Sequence, residues 1–278
     1  MSEATDTVPP LAFVHPGALA PTVYEETQRQ YPGQLVLINL ERNHDYVRAA
    51  LTGDTGRLAI DDLVDDAIDV LRSSIDLSQS WNAAGWSFGG VVANALIARL
   101  EPEERPRGLL LYDSIAAVPG YVRELGDAEY LQPADRAQVL GWFAMYLSAK
   151  KGVDLGMAEG DFTGLDGQTG IELVLDRALE RGLLSPGTSI DGIGKVFEVF
   201  VRGLRRNNQL AGEHTAPHST VPVALFRPEK GLLPGDPHLG WNQVCPHLTV
   251  ADVPGDHYSM VDHPDVVSRA VERLIAVH

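Results

Sequence analysis

Residues 80–100 read SWNAAGWSFGGVVANALIARL. A run of small and apolar residues ends at Trp86, a serine follows between glycines, and an apolar helical pattern continues to Leu100. Gly85-Trp86-Ser87-Phe88-Gly89 matches G-x-S-x-G, with Gly90 as an extension. The spacing predicts a strand over 80–86 and a helix over 88–100, the context in which this motif forms a nucleophile elbow. A serine at such a turn occupies strained backbone, and bulky neighbours would clash there. Gly85 and Gly89 let adjacent backbone approach closely, so the Ser87 hydroxyl projects from the sheet edge. The helix starting at Phe88 aims its first N–H groups and positive dipole end at any oxyanion developing there.

Outward from the elbow, short apolar runs alternate with helical patterns. LAFVH (11–15), QLVLINL (34–40), GLLLYD (108–113), VPVALF (221–226) and LTVADV (248–253) read as further strands. Continuous apolar strands separated by helices predict an α/β fold with a parallel sheet covered on both faces. Helices are expected over 58–73 and 265–277. In the first, Ile60, Leu63, Val64, Ala67, Ile68 and Leu71 share one face, and Asp61, Asp62, Asp65, Asp66 and Asp69 form a solvated one. Residues 120–215 differ. They hold three helical patterns, near 134–150, 170–183 and 192–210, joined by Gly-rich stretches. We expect a single domain over 1–278, with 120–215 as a helical lid insertion between two strands.

Composition narrows the function. The 278 residues are 44% hydrophobic, enough for one sizeable core. Thirty-eight acids against 22 bases give a net charge of −16, which repels nucleic acid and anionic membrane surfaces. The single cysteine, Cys245, excludes an internal disulfide and a cysteine-based zinc cluster. The N-terminus lacks an apolar signal core and no run approaches a membrane-spanning length, so a cytoplasmic location is expected.

A serine nucleophile needs a base with a pKa near neutrality. In α/β hydrolases the chain order is serine, acid, histidine. Among nine histidines, His257 in VPGDHYSMV follows the last expected strand, at the same sheet edge as Ser87. His263, beside Pro264, reads as a helix-start residue, and His238 and His247 flank a loop with Cys245 without tight ligand spacing. Asp113, at the end of GLLLYD, and Asp236, after VPVALF, both satisfy the order for the acid. The loop His15-Pro16-Gly17-Ala18-Leu19 follows an early strand, where the second oxyanion donor arises. The N–H of Gly17 or Ala18, with that of Phe88, would form the hole.

Together FVHPGALAPTVY (13–24), GWSFGG (85–90), GLLLYDS (108–114), VPVALFRP (221–228), Trp241 and VPGDHYSMV (253–261) resemble the thioesterase domains of nonribosomal peptide and polyketide synthetases. The resemblance implies an α/β-hydrolase fold and places the acid after the strand that follows the elbow helix, hence at Asp113. Gly-Trp-Ser is similar to the chain-terminating type; the stand-alone editing type carries a histidine before the serine. HPGALA departs from the double glycine of many relatives and leaves Gly17 and Ala18 as alternatives. The implied activity is release of a peptide or polyketide acyl chain from the phosphopantetheine thioester of a carrier protein. Release would follow an acyl-enzyme, by hydrolysis or macrocyclisation, as in antibiotic biosynthesis, without a metal or redox cofactor. The competing readings are a general serine esterase or peptidase of the same fold, and a hydrolytic editing thioesterase. Arg202, Arg205 and Arg206 stand out as a local basic cluster on the third insertion helix. They read either as a contact for pantetheine phosphate or an acidic carrier, or as a solvated helix face.

Overall fold

A computed structural model describes residues 8–122, 132–233 and 235–276. The polar N-terminal stretch 1–7, residues 123–131 of the insertion, Pro234 and residues 277–278 lie outside the described residues. The described chain runs β1 (Leu11–His15), α1 (Glu25–Gln30), β2 (Leu35–Asn39), α2 (His44–Thr52), α3 (Ile60–Ser74), β3 (Asn82–Trp86), α4 (Phe88–Arg99) and β4 (Leu109–Tyr112). It continues through α5 (Pro133–Lys151), α6 (Gly167–Glu180), α7 (Ile190–Glu213), β5 (Val223–Lys230), β6 (Leu248–Asp256) and α8 (Pro264–Ala276). Two compact units result: one holds residues 1–43, 59–121 and 211–278, the other 44–58 and 122–210.

In the first unit six strands form one sheet in the order β2-β1-β3-β4-β5-β6, every pair parallel. The fold is that of the α/β hydrolases. Every residue of β1, β3 and β4 is buried, which explains their unbroken apolar character. β6 closes one edge and leaves Val250 exposed. The chain steps from β1 outward to β2, then crosses to β3 on the other side of β1. That reversal makes the carboxyl ends of β1 and β3 the switch point at which ligands bind in open parallel sheets.

Helix α4 is buried at every position from Phe88 to Ile97, as its all-round apolar sequence requires. Helix α3 buries Ile60, Leu63, Val64, Ala67 and Leu71 and turns its acids outward. There Asp65 pairs with Arg99 at 2.8 Å, and Asp62 accepts from the Ala59 N–H at 2.8 Å.

The second unit has its own aromatic core. Phe143 of α5 lies 5.1 Å from Phe197 and 5.5 Å from Phe200 of α7, ring centre to ring centre. Helix α2 gave no signal in the sequence, and it belongs with these helices through Arg206. The Arg206 guanidinium lies 3.3 Å from the Tyr46 ring centre and donates to the Tyr46 carbonyl at 2.8 Å. Of the basic cluster read on α7, Arg202 and Arg205 stay partly exposed while Arg206 is drawn inside. Arg206 is buried, because stacking and hydrogen bonding satisfy it inside, and Arg202 donates to the Leu51 carbonyl at 2.9 Å. Among the described residues, no helix is long and apolar enough to cross a membrane.

Candidate active site

Ser87 follows β3 directly, with φ 54° and ψ −129°, a conformation that L-residues rarely adopt. It is partly exposed between the buried Trp86 and Phe88. The strain is tolerated because three glycines remove what would collide. A Cβ on Gly85 would lie 2.6 Å from the Gly90 Cα, and one on Gly89 would lie 2.3 Å from the Val14 carbonyl oxygen. One on Gly90 would lie 2.3 Å from the Ser114 Oγ. Gly85 and Gly89 face backbone and therefore require glycine, whereas a side chain at Gly90 would have to displace Ser114 and Leu111.

Asp113 follows β4 and His257 follows β6, both almost wholly buried. The His257 Nδ1 lies 2.7 Å from the Asp113 Oδ2. An ionised carboxylate only accepts, so Nδ1 carries the proton and Nε2 keeps a lone pair, the tautomer a general base needs. Asp113 is itself strained, at φ 40°, and its Oδ2 also accepts from the Leu232 N–H at 3.1 Å. A Cβ on Gly231 would lie 3.0 Å from the Asp113 Oδ1, so backbone closes over the carboxylate.

One device positions all three residues. The Ser87 N–H donates to the Tyr112 carbonyl of β4 at 2.9 Å. The Asp113 N–H donates to the Phe226 carbonyl of β5 at 2.9 Å, and the His257 N–H to the Lys230 carbonyl of β5 at 3.1 Å. Each residue thus makes a last rung between its own strand and a neighbour, one step past its own strand. Trp86 adds a clamp: its Nε1–H donates to the His257 carbonyl at 2.9 Å, and its ring lies 5.4 Å from the His257 ring.

The loop after β1 carries two consecutive left-handed residues, Gly17 at φ 88° and Ala18 at φ 72°. His15, which ends β1, is fully buried, and burial lowers its pKa to about 4 against the opposing effect of the Leu19 carbonyl. Phe88 opens α4, so its N–H lies at the helix start, directly after Ser87.

Asp236, the other acid compatible with chain order, is committed elsewhere. It accepts from the Tyr121 hydroxyl at 2.5 Å and from the N–H groups of His238 and Gly240 at 2.9 and 3.2 Å. Burial alone would raise its carboxyl, but these donors hold it below the usual carboxylate range. His263 directly precedes α8. Burial pushes the Cys245 thiol up to about 12, which opposes a thiolate ligand, and no group of three or more His, Cys, Asp or Glu among the described residues is placed to hold a metal. Sequence reasoning passed over His15, Trp86 and the Leu232 N–H. A histidine closing a wholly apolar strand was a readable signal for the first; the other two needed coordinates.

Neither a family model nor a curated protein matches the chain. Solved structures do. The chain is similar over 96% of its length to a four-domain nonribosomal peptide synthetase, AB3403, bound to AMP and glycine, at 22% identity and a TM-score of 0.62. It spans only 19% of that longer protein. The NocB thioesterase domain in covalent complex with a fluorophosphonate nocardicin G analogue matches at 20% identity and a TM-score of 0.55, over 97% of this chain and 96% of that one. ClbQ of the colibactin NRPS/PKS pathway matches at 13% identity and a TM-score of 0.54, over 98% of both chains. These neighbours come from nonribosomal peptide and polyketide systems, and the likeness is one of fold.

Proposed function

We propose that the protein is a serine-dependent thioesterase or cyclase. It would release a peptide or polyketide acyl chain from the phosphopantetheine thioester of a carrier protein. The observation that carries the reading is the buried 2.7 Å pair of His257 and Asp113, at the sheet edge where Ser87 occupies a strained turn.

In this reading the Ser87 Oγ attacks the thioester carbonyl carbon as the His257 Nε2 takes its proton. Asp113 holds the ring and stabilises the imidazolium. The N–H of Phe88, with that of Gly17 or Ala18, receives the oxyanion. Collapse breaks the C–S bond, the imidazolium protonates the departing thiolate, and an acyl-serine remains. Water or a nucleophile within the acyl chain then gives its proton to His257, attacks the ester and restores the Ser87 hydroxyl. No step calls for a metal or redox cofactor. The insertion of residues 120–215 is read as a lid that gates access to this chemistry.

The test uses intact mass. The chain is mixed with acyl-loaded carrier protein, with a small soluble thioester and with a fluorophosphonate. We expect one fluorophosphonate adduct, absent in Ser87→Ala, and faster turnover of the carrier-bound acyl group. Labelling that survives in Ser87→Ala refutes the nucleophile. Turnover of simple esters or peptides with none of carrier thioesters favours the general hydrolase. Hydrolysis of many short acyl groups without ring formation favours the editing thioesterase.

A further inference from the structure

We infer that His15 is a positioning residue that clamps the loop of residues 16–19 in the shape that presents its N–H groups to the reacting carbonyl. The inference rests on the acyl-transfer reading for its catalytic consequence, though not for the clamp itself.

The His15 ring has two partners: the Leu19 carbonyl lies 3.0 Å from Nε2, and the Tyr24 hydroxyl lies 3.0 Å from Nδ1. A carbonyl only accepts, so Nε2 carries the hydrogen and Nδ1 accepts from the tyrosine. Both nitrogens are occupied, and the ring is fully buried. His15 is thus unsuited to proton transfer, and a group without reactive capacity at a catalytic edge acts through shape.

The shape it holds is costly. A left-handed alanine carries about 1–2 kcal/mol of strain, and such strain persists only where surroundings over-determine it. Ala18 has no side chain able to hydrogen-bond locally. Gly17 and Ala18 in succession turn the backbone so that the Leu19 carbonyl points back at the strand end. The His15 Nε2–H is the donor that meets it there.

The clamp is braced on both sides. Tyr24 is buried 4.4 Å from the Phe13 ring, centre to centre, which fixes its hydroxyl toward Nδ1. On the other side the His15 ring stacks on Trp86 at 5.9 Å and 23°, and Trp86 in turn holds the His257 carbonyl. A buried row of Tyr24, His15, Trp86 and His257 therefore connects the donor loop to the base. A purely apolar residue would fill the same space without either hydrogen bond.

The experiment compares His15→Phe, which keeps a ring and loses both hydrogen bonds, with His15→Gln, whose amide N–H can reach the Leu19 carbonyl. Wild type and Ser87→Ala are measured on the same soluble thioester, and Gly17 and Ala18 amide shifts are read by NMR. Losing one oxyanion donor outright costs about 10²–10³ in kcat, so a displaced loop should cost roughly 10–100-fold. We expect that loss in His15→Phe with KM changed less than about threefold, and recovery to within about fivefold of wild type in His15→Gln. The Gly17 and Ala18 amides should move in the first variant and return in the second. Unchanged kcat in His15→Phe, equal loss in both variants, or unmoved amides overturns the inference. If His15→Phe does not fold, Tyr24→Phe carries the same readouts, with shifted amides and reduced kcat expected and wild-type values refuting. A wild-type chain that cleaves no thioester refutes the acyl-transfer reading instead, and the amide shifts alone then decide on the clamp.

Discussion

Replacing Asp113 by asparagine separates two jobs of the acid, because of one backbone group. The Asp113 Oδ2 accepts from both the His257 Nδ1 and the Leu232 N–H. In Asp113→Asn the amide has one oxygen and one NH₂ to place. Turning NH₂ toward His257 would also face it to the Leu232 N–H, donor against donor. The carbonyl oxygen therefore keeps the Oδ2 position, and His257 keeps the tautomer with a free Nε2. What is lost is the negative charge that stabilises the imidazolium. With charge centres about 4 Å apart at an effective dielectric of about 20, that is worth about 4 kcal/mol, or roughly 10³ in rate. Where the amide instead forces the wrong tautomer, the loss is ~10⁴. We therefore expect kcat on a soluble thioester to fall about 10³-fold in Asp113→Asn. Asp236→Asn should stay within about threefold of wild type and lose about 1 kcal/mol of stability from its weakened Tyr121 hydrogen bond. Matched melting curves establish that the first variant folds. Activity of Asp113→Asn within tenfold of wild type, or an Asp236→Asn variant as crippled, refutes the reasoning.

Three further outcomes are expected. Gly89→Ala sets a methyl against the Val14 carbonyl oxygen, a backbone atom that cannot swing away, and should destabilise the fold by about 3 kcal/mol or more; a melting temperature within a degree of wild type would contradict it. His15 binds its proton more weakly folded, at about 4, than unfolded, at the usual 6.5, so the unfolded chain holds more protons in that window. Its contribution is full above pH 6.5, and about 3 kcal/mol is lost as the pH falls to 4; the wild-type curve should show this slope and His15→Phe should lack it in urea titrations. Gly152, Gly156 and Gly164 adopt positive φ, the first and last with open space around them, and amides of 152–164 should exchange with deuterium before those of β4; equal protection argues against a gating insertion.

What was legible in the chain was what local chemistry dictates. The elbow glycines, the apolar runs of β1, β3 and β4, and the all-round apolar α4 each follow from burial or from a steric need confined to a few residues. The insertion helices α5, α6 and α7 begin and end within three residues of the periodicity-based expectation. Long-range commitments were not legible. Arg206 read as surface charge because nothing nearby in sequence shows that Tyr46, 160 positions away, supplies a ring and a carbonyl. For the same reason residues 44–58 carried no sign of belonging with α7. Asp236 and Asp113 were equal candidates by chain order. The family resemblance favoured Asp113, and the spatial partners differ in the same sense: three donors occupy Asp236, while Asp113 faces a histidine ring and a backbone N–H.

The strained residues and the sheet explain one another. Ser87 at φ 54° and Asp113 at φ 40° each hold a conformation worth roughly 1–3 kcal/mol of strain, and each does so one step beyond a buried strand. An isolated turn would relax. Here the N–H of each is fixed as an added rung to the next strand, so relaxation would break a hydrogen bond in a buried ladder. The parallel sheet therefore does more than carry the loops. Its regular spacing sets the separation of Ser87 and Asp113, which leave adjacent strands, β3 and β4. His257 must reach back across β5, and it is fixed on every side: N–H to Lys230, carbonyl to Trp86, ring to Asp113. The residue arriving from farthest away is thus held through N–H, carbonyl and ring, as the proposed role of base requires if its Nε2 is to meet a hydroxyl held by a separate strand.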